Sequence, residues 1–362
     1  MKKAIALLMG FAFLFLLSAD EPPVPETKQR DWYPYDLSEY VALPDWHGIP
    51  AVFDDPDVCS EEEIDEGIRQ VMLSYATFDL KEGAAELYDA VHCDVFVYFG
   101  DTLLEDQTQN DHEIVLGEGS LSDMDRALAE HMIGLSAGDV CSADYTYPDS
   151  SYYYGEMAGK TVRMAAEIHG VYAPDIPPCD DSFVKELPEH DFKTVADFRE
   201  AIRQDILDQK AESRVYAVWR TFLAGARVLN FPDFEMRRYM EDYMAYYNDY
   251  AREYELDLDA FLQEYFNATR EEFETQAREF AQDRVKNEMI FTQLSREMGT
   301  VLSEEEYRAG IQAYYEKEKV QFETLEEYVA HYGETVLRQN LIWDKSLRKM
   351  AQQAVRLEPD AA

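Results

Sequence analysis

Polar and apolar residues follow two different periods along this chain. Between residues 84 and 171 the period is close to two, which predicts strands over 91–99, 111–116, 139–147 and 161–169. Helical spacing interrupts them over 123–133, and Gly134 ends that stretch. The pattern predicts a small antiparallel sheet wrapped on one helix. From residue 194 to 355 apolar residues recur instead at helical spacing. The stripe Phe273, Ala277, Phe280, Ala281, Val285, Met289, Leu294 and Met298 is the longest, and Gly299 stops it. Thr194 with Asp197, Thr269 with Glu272, Ser303 with Glu306 and Thr324 with Glu327 predict capped starts, and Ser60 with Glu63 predicts one further upstream.

Each segment adds detail. The helix begun by Ser60 carries Ile64, Ile68, Val71 and Met72 on one face. The helix from 194 to about 229 has Phe198, Ile202 and Ile206, then the charged stretch DQKAESR, then Val215, Val218 and Phe222. Such a break predicts a helix that leaves the core for part of its length. Pro232 opens the next helix, which is crowded with Met236, Tyr239, Met240, Tyr243, Met244, Tyr246, Tyr247 and Tyr250. A short helix around Phe261, Leu262 and Tyr265 follows, and the last three helices start near Ser303, Thr324 and Glu334. Pro174, Pro177 and Pro178 mark a linker between the two periods.

Charge and the N-terminus narrow the class. The chain has 362 residues, 74 of them acidic against 33 basic, for a formal charge of −41. That surface repels phosphate backbones and anionic lipid, so no nucleic-acid partner is expected. Lys2 and Lys3 precede an uncharged run, 4–17, shorter than the ~20 residues of a membrane span and suited to a secretory signal. Export with cleavage after Ala19 is expected, the alternative being an uncleaved anchor as the single membrane contact. Residues 20–36 are proline-rich and polar, a tether, and 37–57 read as an extended lead-in. Cys59, Cys93, Cys141 and Cys179 lack CxxC spacing, and seven histidines lie scattered, so no metal or other cofactor is expected; disulfide pairing stays open. No phosphate-binding loop is present, so no ATP dependence is expected.

From about residue 37 to 355 the chain resembles trigger factor, a ribosome-associated chaperone, without the N-terminal ribosome-binding domain. Three stretches carry the resemblance. They are VCSEEEIDEGIRQVMLSYA at 58–76; DVFVYFG at 94–100 with LGEG at 116–119, MIGLSAGD at 132–139 and YPDSSYYYGEMAGK at 147–160; and DDSFVKEL at 180–187 with VLNFPDFEMRRYMEDYM at 228–244 and the 269–299 helix. The family's ribosome-docking run of glycine, phenylalanine and arginine ending in proline is missing, so no ribosome partner is expected. The resemblance implies an α+β protein with a small FKBP-like antiparallel half-barrel followed by an elongated all-α chaperone domain. The expected division is signal peptide 1–19, lead-in 20–57, connecting helix 58–83, FKBP-like isomerase domain 84–172, linker 173–193 and helical domain 194–357.

The same resemblance implies a peptidyl-prolyl cis-trans isomerase site. Such a site desolvates the prolyl amide in an aromatic-lined cleft and binds its twisted form best. Tyr98 matches the family's strand tyrosine, Leu104 and Glu105 fall where it has phenylalanine and aspartate, Tyr152 or Tyr153 matches the late tyrosine, and Met164 lies near a final aromatic. The family's Phe-Ile-Pro-Gly-Phe run is replaced by Ser120-Leu121-Ser122-Asp123-Met124, so the pocket floor is changed. A protein that holds unfolded polypeptide needs adaptable apolar surface, and Met and Tyr supply it. Tyr239, Tyr243, Tyr246, Tyr247 and Tyr250 are therefore the candidate client contacts, with unfolded or newly exported polypeptides as partners. Three readings stand: an exported ATP-independent chaperone, an active isomerase whose helical domain only recruits substrate, and a non-catalytic structural protein of the cell envelope.

Overall fold

The computed structural model describes residues 33–148, 157–188, 191–318 and 320–358. The expected signal, most of the proline-rich tether and both Tyr152 and Tyr153 lie outside the described residues. In chain order the strands are β1 (Val41–Ala42), β2 (Pro50–Val52), β3 (Thr77–Leu80), β4 (Ala90–Phe99), β5 (Thr102–Leu103), β6 (Gln109–Val115), β7 (Val140–Thr146), β8 (Thr161–Asp175), β9 (Arg227–Val228) and β10 (Val355–Leu357). The helices are α1 (Glu61–Leu73), α2 (Asp123–Met132), α3 (Asp181–Glu186), α4 (Val195–Gly225), α5 (Asp233–Glu253), α6 (Leu258–Phe261), α7 (Arg270–Glu297), α8 (Glu304–Glu318), α9 (Leu325–Tyr332) and α10 (Glu334–Gln352).

Two compact units share the chain. One is Pro56–Gln209; the other joins the lead-in, through Asp55, to residues from Lys210 onward. In the first unit β8 is the spine of a curled antiparallel half-barrel. It pairs with β4 along one edge, from Tyr98 opposite Arg163 to Ala90 opposite Tyr172, and with β7 and then β3 along the other. β6 and β5 line the far edge of β4. Alternation then fixes the faces: Val91, Cys93, Val95 and Val97 of β4 and Val162, Met164, Ala166 and Ile168 of β8 are buried with Leu128, Ala129 and Met132 of α2. A second cluster joins α1, α3 and the first half of α4 through Ile64, Ile68, Val184, Phe198 and Ile202. Gly67 permits this contact, since a Cβ there would sit 2.7 Å from the Ile202 Cγ2.

All five capped starts form. Ser60 Oγ accepts from the Glu63 amide at 3.2 Å while the Glu63 carboxylate accepts from the Ser60 amide at 2.8 Å, and Thr269 with Glu272 repeats the exchange. Asp197, Glu306 and Glu327 donate their amides to Thr194, Ser303 and Thr324 at 3.2 Å each. Helix α4 runs unbroken for 31 residues, three longer than α7, so the expected longest helix is the second longest. The DQKAESR stretch does leave the core, but its Gln, Lys, Ala, Glu and Arg residues favour helix and the backbone continues through them.

In the second unit the lead-in is more than a spacer. Tyr33, Leu37, Val41, Ile49 and Ala51 are buried in one core with Val218, Trp219 and Phe222 of α4, Val285, Met289 and Leu294 of α7, and Trp343, Leu347 and Met350 of α10. β1 pairs antiparallel with β9, and β2 pairs parallel with β10, so both ends of the lead-in are stitched down. No helix among the described residues is long and apolar enough to cross a membrane.

Candidate functional site

The sheet unit and the helical unit each offer one candidate surface. In the sheet unit, Val97 lies opposite Met164 and Tyr98 opposite Arg163, so strand alternation separates Tyr98 from Met164. Met164 is fully buried among the core residues of the half-barrel. Tyr98 faces the other side, half-buried, with the Arg163 guanidinium 4.8 Å from its ring centre. Leu104 packs, partly buried, against the cluster that holds Met164, and its amide donates to the Val97 carbonyl at 2.8 Å. Glu105 is exposed at the start of a short 3₁₀ turn, Glu105–Gln107. The fold thus brings Leu104 and Met164 to one side and leaves Tyr98 and Glu105 outside that group.

Sequence reasoning missed the aromatic that does sit at the inner rim. Tyr147 is buried, and its hydroxyl donates to Gln107 Oε1 at 2.7 Å and lies 3.9 Å from the Met124 sulfur. Tyr145, edge-on to it at 5.1 Å, shares its strand parity. That parity was readable from Cys141 and Ala143, the preceding inward residues of β7.

The helical candidate is built on two adjoining rows of α5. Tyr239, Tyr243 and Tyr247 follow one another at i, i+4 and face α7; Tyr246, Tyr250 and Tyr254 repeat the spacing one row over. The first row is packed: Tyr239 and Tyr243 are each 3% exposed, with Tyr243 4.9 Å from the Phe280 ring and 5.2 Å from Phe273. These two are core residues and present no surface to a client in this structure. Tyr247 is half-buried, edge-on to Phe273 at 4.9 Å.

The second row opens outward. Tyr250, Tyr254, Tyr265 and Phe266 are 41%, 45%, 50% and 50% exposed. All four rings lie around the buried ring of Phe261, at 5.8, 5.6, 4.9 and 5.7 Å. Tyr246 stacks on Tyr250 at 6.3 Å. The turn that gathers them has left-handed Glu255 and Asn267 at its two ends, with φ of 58° and 49°, and Asp257 capping α6 by accepting from the Ala260 amide at 2.8 Å. Between Glu241 and Asn267 eight acidic residues stand against one basic residue, Arg252, which is paired with Asp249 at 2.6 Å. The result is an aromatic tip in an acidic field. Tyr254 and Phe266 were not singled out from sequence, and Tyr265 was read only as part of a short helix, because the turn that brings all three together depends on contacts the sequence pattern does not carry.

The two surfaces define a two-unit α+β protein: a curled half-barrel closed on one helix, and a helical body with an aromatic tip. Comparison with known proteins narrows this class. No protein-family model matches the chain. It is 25% identical over 298 residues to the trigger factor of Exiguobacterium sibiricum, covering 81% of this chain and 67% of that one. To the trigger factor of Shouchella clausii it is 22% identical over 313 residues, 85% and 70% of the two chains. The trigger factor of Brucella abortus is 24% identical over 279 residues, but the chain spans only 57% of its length. A solved structure of the trigger factor chaperone, described for promiscuous substrate recognition in folding and assembly, is 21% identical over 86% of this chain and 72% of its own, with a TM-score of 0.37. The chain is trigger-factor-like in sequence over four-fifths of its length.

Proposed function

We propose that this chain is a trigger-factor-like folding factor that binds unfolded polypeptide, without ATP, at the aromatic tip of its helical unit. The observation that carries the reading is the ring of half-exposed Tyr250, Tyr254, Tyr265 and Phe266 around a buried Phe261. Single exposed apolar residues are ordinary on protein surfaces; a contiguous aromatic group is not, and marks an interaction site. Tyrosine offers an apolar body with a polar edge, so it can meet many sequences without demanding one register. Similarity to trigger factors supports the folding-factor role. The expected signal at 1–19 adds export, which places the client among newly exported chains. The test is suppression of aggregation of a denatured client, comparing the parent with a variant carrying Tyr250→Ser, Tyr254→Ser, Tyr265→Ser and Phe266→Ser. Equal suppression by both removes the tip from the mechanism.

Isomerase activity is a second reading, favoured by the rim formed by Tyr147, Gln107, Met124 and Leu104 on the inner side of the half-barrel. Any prolyl substrate would meet that rim rather than Tyr98. A refolding assay limited by proline isomerisation tests it, since that step takes tens to hundreds of seconds unaided. Refolding at one rate with and without the protein eliminates the enzymatic reading. Acceleration abolished by Tyr147→Phe but not by Tyr98→Phe supports it.

A further inference from the structure

The core of the helical unit encloses a carboxylate that the proposed client surface does not itself use. Glu288, on α7, is 1% exposed. One of its oxygens accepts from the Tyr33 hydroxyl at 2.9 Å, and the other accepts from the Tyr239 hydroxyl. Tyr33 belongs to the lead-in and Tyr239 to α5, so a single side chain of α7 bonds to two other stretches of the chain. Arg284, also buried, lies one turn earlier on α7; burial pulls its guanidinium down to about 10, against the opposing pull of the Glu288 charge. Arg296 fixes the lead-in further, donating to the Tyr33 carbonyl at 2.5 Å and the Tyr35 carbonyl at 3.0 Å. The Tyr35 hydroxyl donates to Glu235, itself buried on α5, at 3.0 Å.

A buried carboxylate is a weak device for stability, since an apolar group of equal volume packs as well without the desolvation penalty. What it supplies is direction. Apolar contact between α5 and α7 tolerates sliding, whereas two hydroxyls converging on one carboxylate fix both register and rotation. Tyr246 and Tyr250 follow Tyr239 by about two and three turns of one helix. We infer that Glu288 is a positioning residue for the client surface: by accepting from Tyr33 and Tyr239 together, it ties the lead-in to α5 and sets how Tyr246, Tyr250 and Tyr254 are presented. The inference rests on the tip being the client site.

The experiment uses the full chain with Glu288→Leu, Glu288→Gln, Tyr33→Phe and Tyr250→Ser. Thermal unfolding first fixes a temperature at which each variant is fully folded. Client holding and backbone hydrogen exchange are then read there. Glu288→Leu removes the acceptor that the two hydroxyls share; Glu288→Gln keeps one acceptor and adds an amide that can donate to the second hydroxyl. The expected result is a several-fold loss of holding in Glu288→Leu and Tyr33→Phe, recovery of most of it in Glu288→Gln, and faster exchange along 239–254. Holding unchanged in the folded variants, a loss that glutamine does not recover, or faster exchange confined to the lead-in overturns the inference. If Glu288→Leu does not fold, Tyr33→Phe, which removes one hydroxyl and no packing atom, decides alone. Tyr250→Ser separates the two claims. Intact holding there defeats the client-site reading, whereas loss there with intact holding in the Glu288 and Tyr33 variants defeats only this inference.

Discussion

The half-barrel and the helical body treat their aromatic and methionine side chains in opposite ways. On the inner face of the sheet the central positions are filled: Val97 pairs with Met164, Ala143 with Met164, and all three are buried in one cluster with Leu128 of α2. A strand has one inward face, and a helix laid across it can cover that face completely. Helix α5 cannot do this, because its large side chains occupy more of its circumference than the stripe of ≳ 100° a globular helix usually buries. The row through Tyr239 and Tyr243 fills the contact with α7, and the row through Tyr250 and Tyr254 is left at the surface. Surplus aromatic residues on a helix are therefore a stronger sign of a binding surface than aromatic residues on an alternating strand.

The largest test of that contrast is on stability. Tyr243→Ala opens a cavity beside Phe273 and Phe280 and is expected to cost ~3–5 kcal/mol, in the range for truncating a buried aromatic. Met164→Ala in the half-barrel is expected to cost ~2–5 kcal/mol. Tyr250→Ser, seven residues from Tyr243 on the same helix, should stay within ~0.5 kcal/mol while weakening client holding. Urea unfolding of the three variants checks the order. A Tyr250→Ser variant as unstable as Tyr243→Ala would show that the second row is core after all.

Much of this was legible in the sequence, and the misses share a cause. Hydroxyl-to-acid spacing located five helix starts because capping is local. Alternation located β4, β6, β7 and the first part of β8 because one buried face imposes it. What sequence did not reveal depended on distant partners. The two-residue strands β1 and β9 exist only because they pair with each other from far apart in the chain, Val41 opposite Val228 and Ala42 opposite Arg227. The hydroxyls of the buried Tyr33 and Tyr239 meet at Glu288, far from both in sequence, and the aromatic tip depends on a turn that returns Tyr265 and Phe266 to α5. The family resemblance put Tyr98 and Met164 in one site, yet strand parity, readable in advance, sets them on opposite faces.

A smaller effect concerns pH in the helical unit. The Lys345 ammonium, 2.5 Å from Glu306, and the Ser303 amide hold the Glu306 carboxyl at about 2, below its ordinary 4.5. A carboxyl depressed on folding stabilises above its unfolded value, and that contribution fades as pH falls from 4.5 towards 2. Glu306→Gln should therefore flatten the acid-side fall in stability, while the sheet unit, which lacks this pair, is unchanged. Denaturant unfolding across that interval, followed by probes in each unit, checks it. An identical acid profile in parent and variant would contradict the assignment.

The smallest expected effect is chemical. Burial, with the nearby Cys141 and Asp125, pushes the Cys93 thiol up to about 12, so little thiolate exists at neutral pH. Native alkylation followed by mass mapping should label the half-buried Cys59 and Cys179 before Cys93 and Cys141. Early labelling of Cys93 would mean that the half-barrel opens more readily than its closed inner face implies.

The central claim, that unfolded chain is held at the aromatic tip of the helical unit, is tested most directly by site-specific photo-crosslinking. A photoreactive residue is placed in turn at positions 250, 265 and 98 of the full chain and irradiated with a denatured client. The account predicts strong adducts from 250 and 265 and few from 98, with the adducts competed away by excess unlabelled client. Adducts concentrated at 98, or equally weak at all three positions, would contradict it.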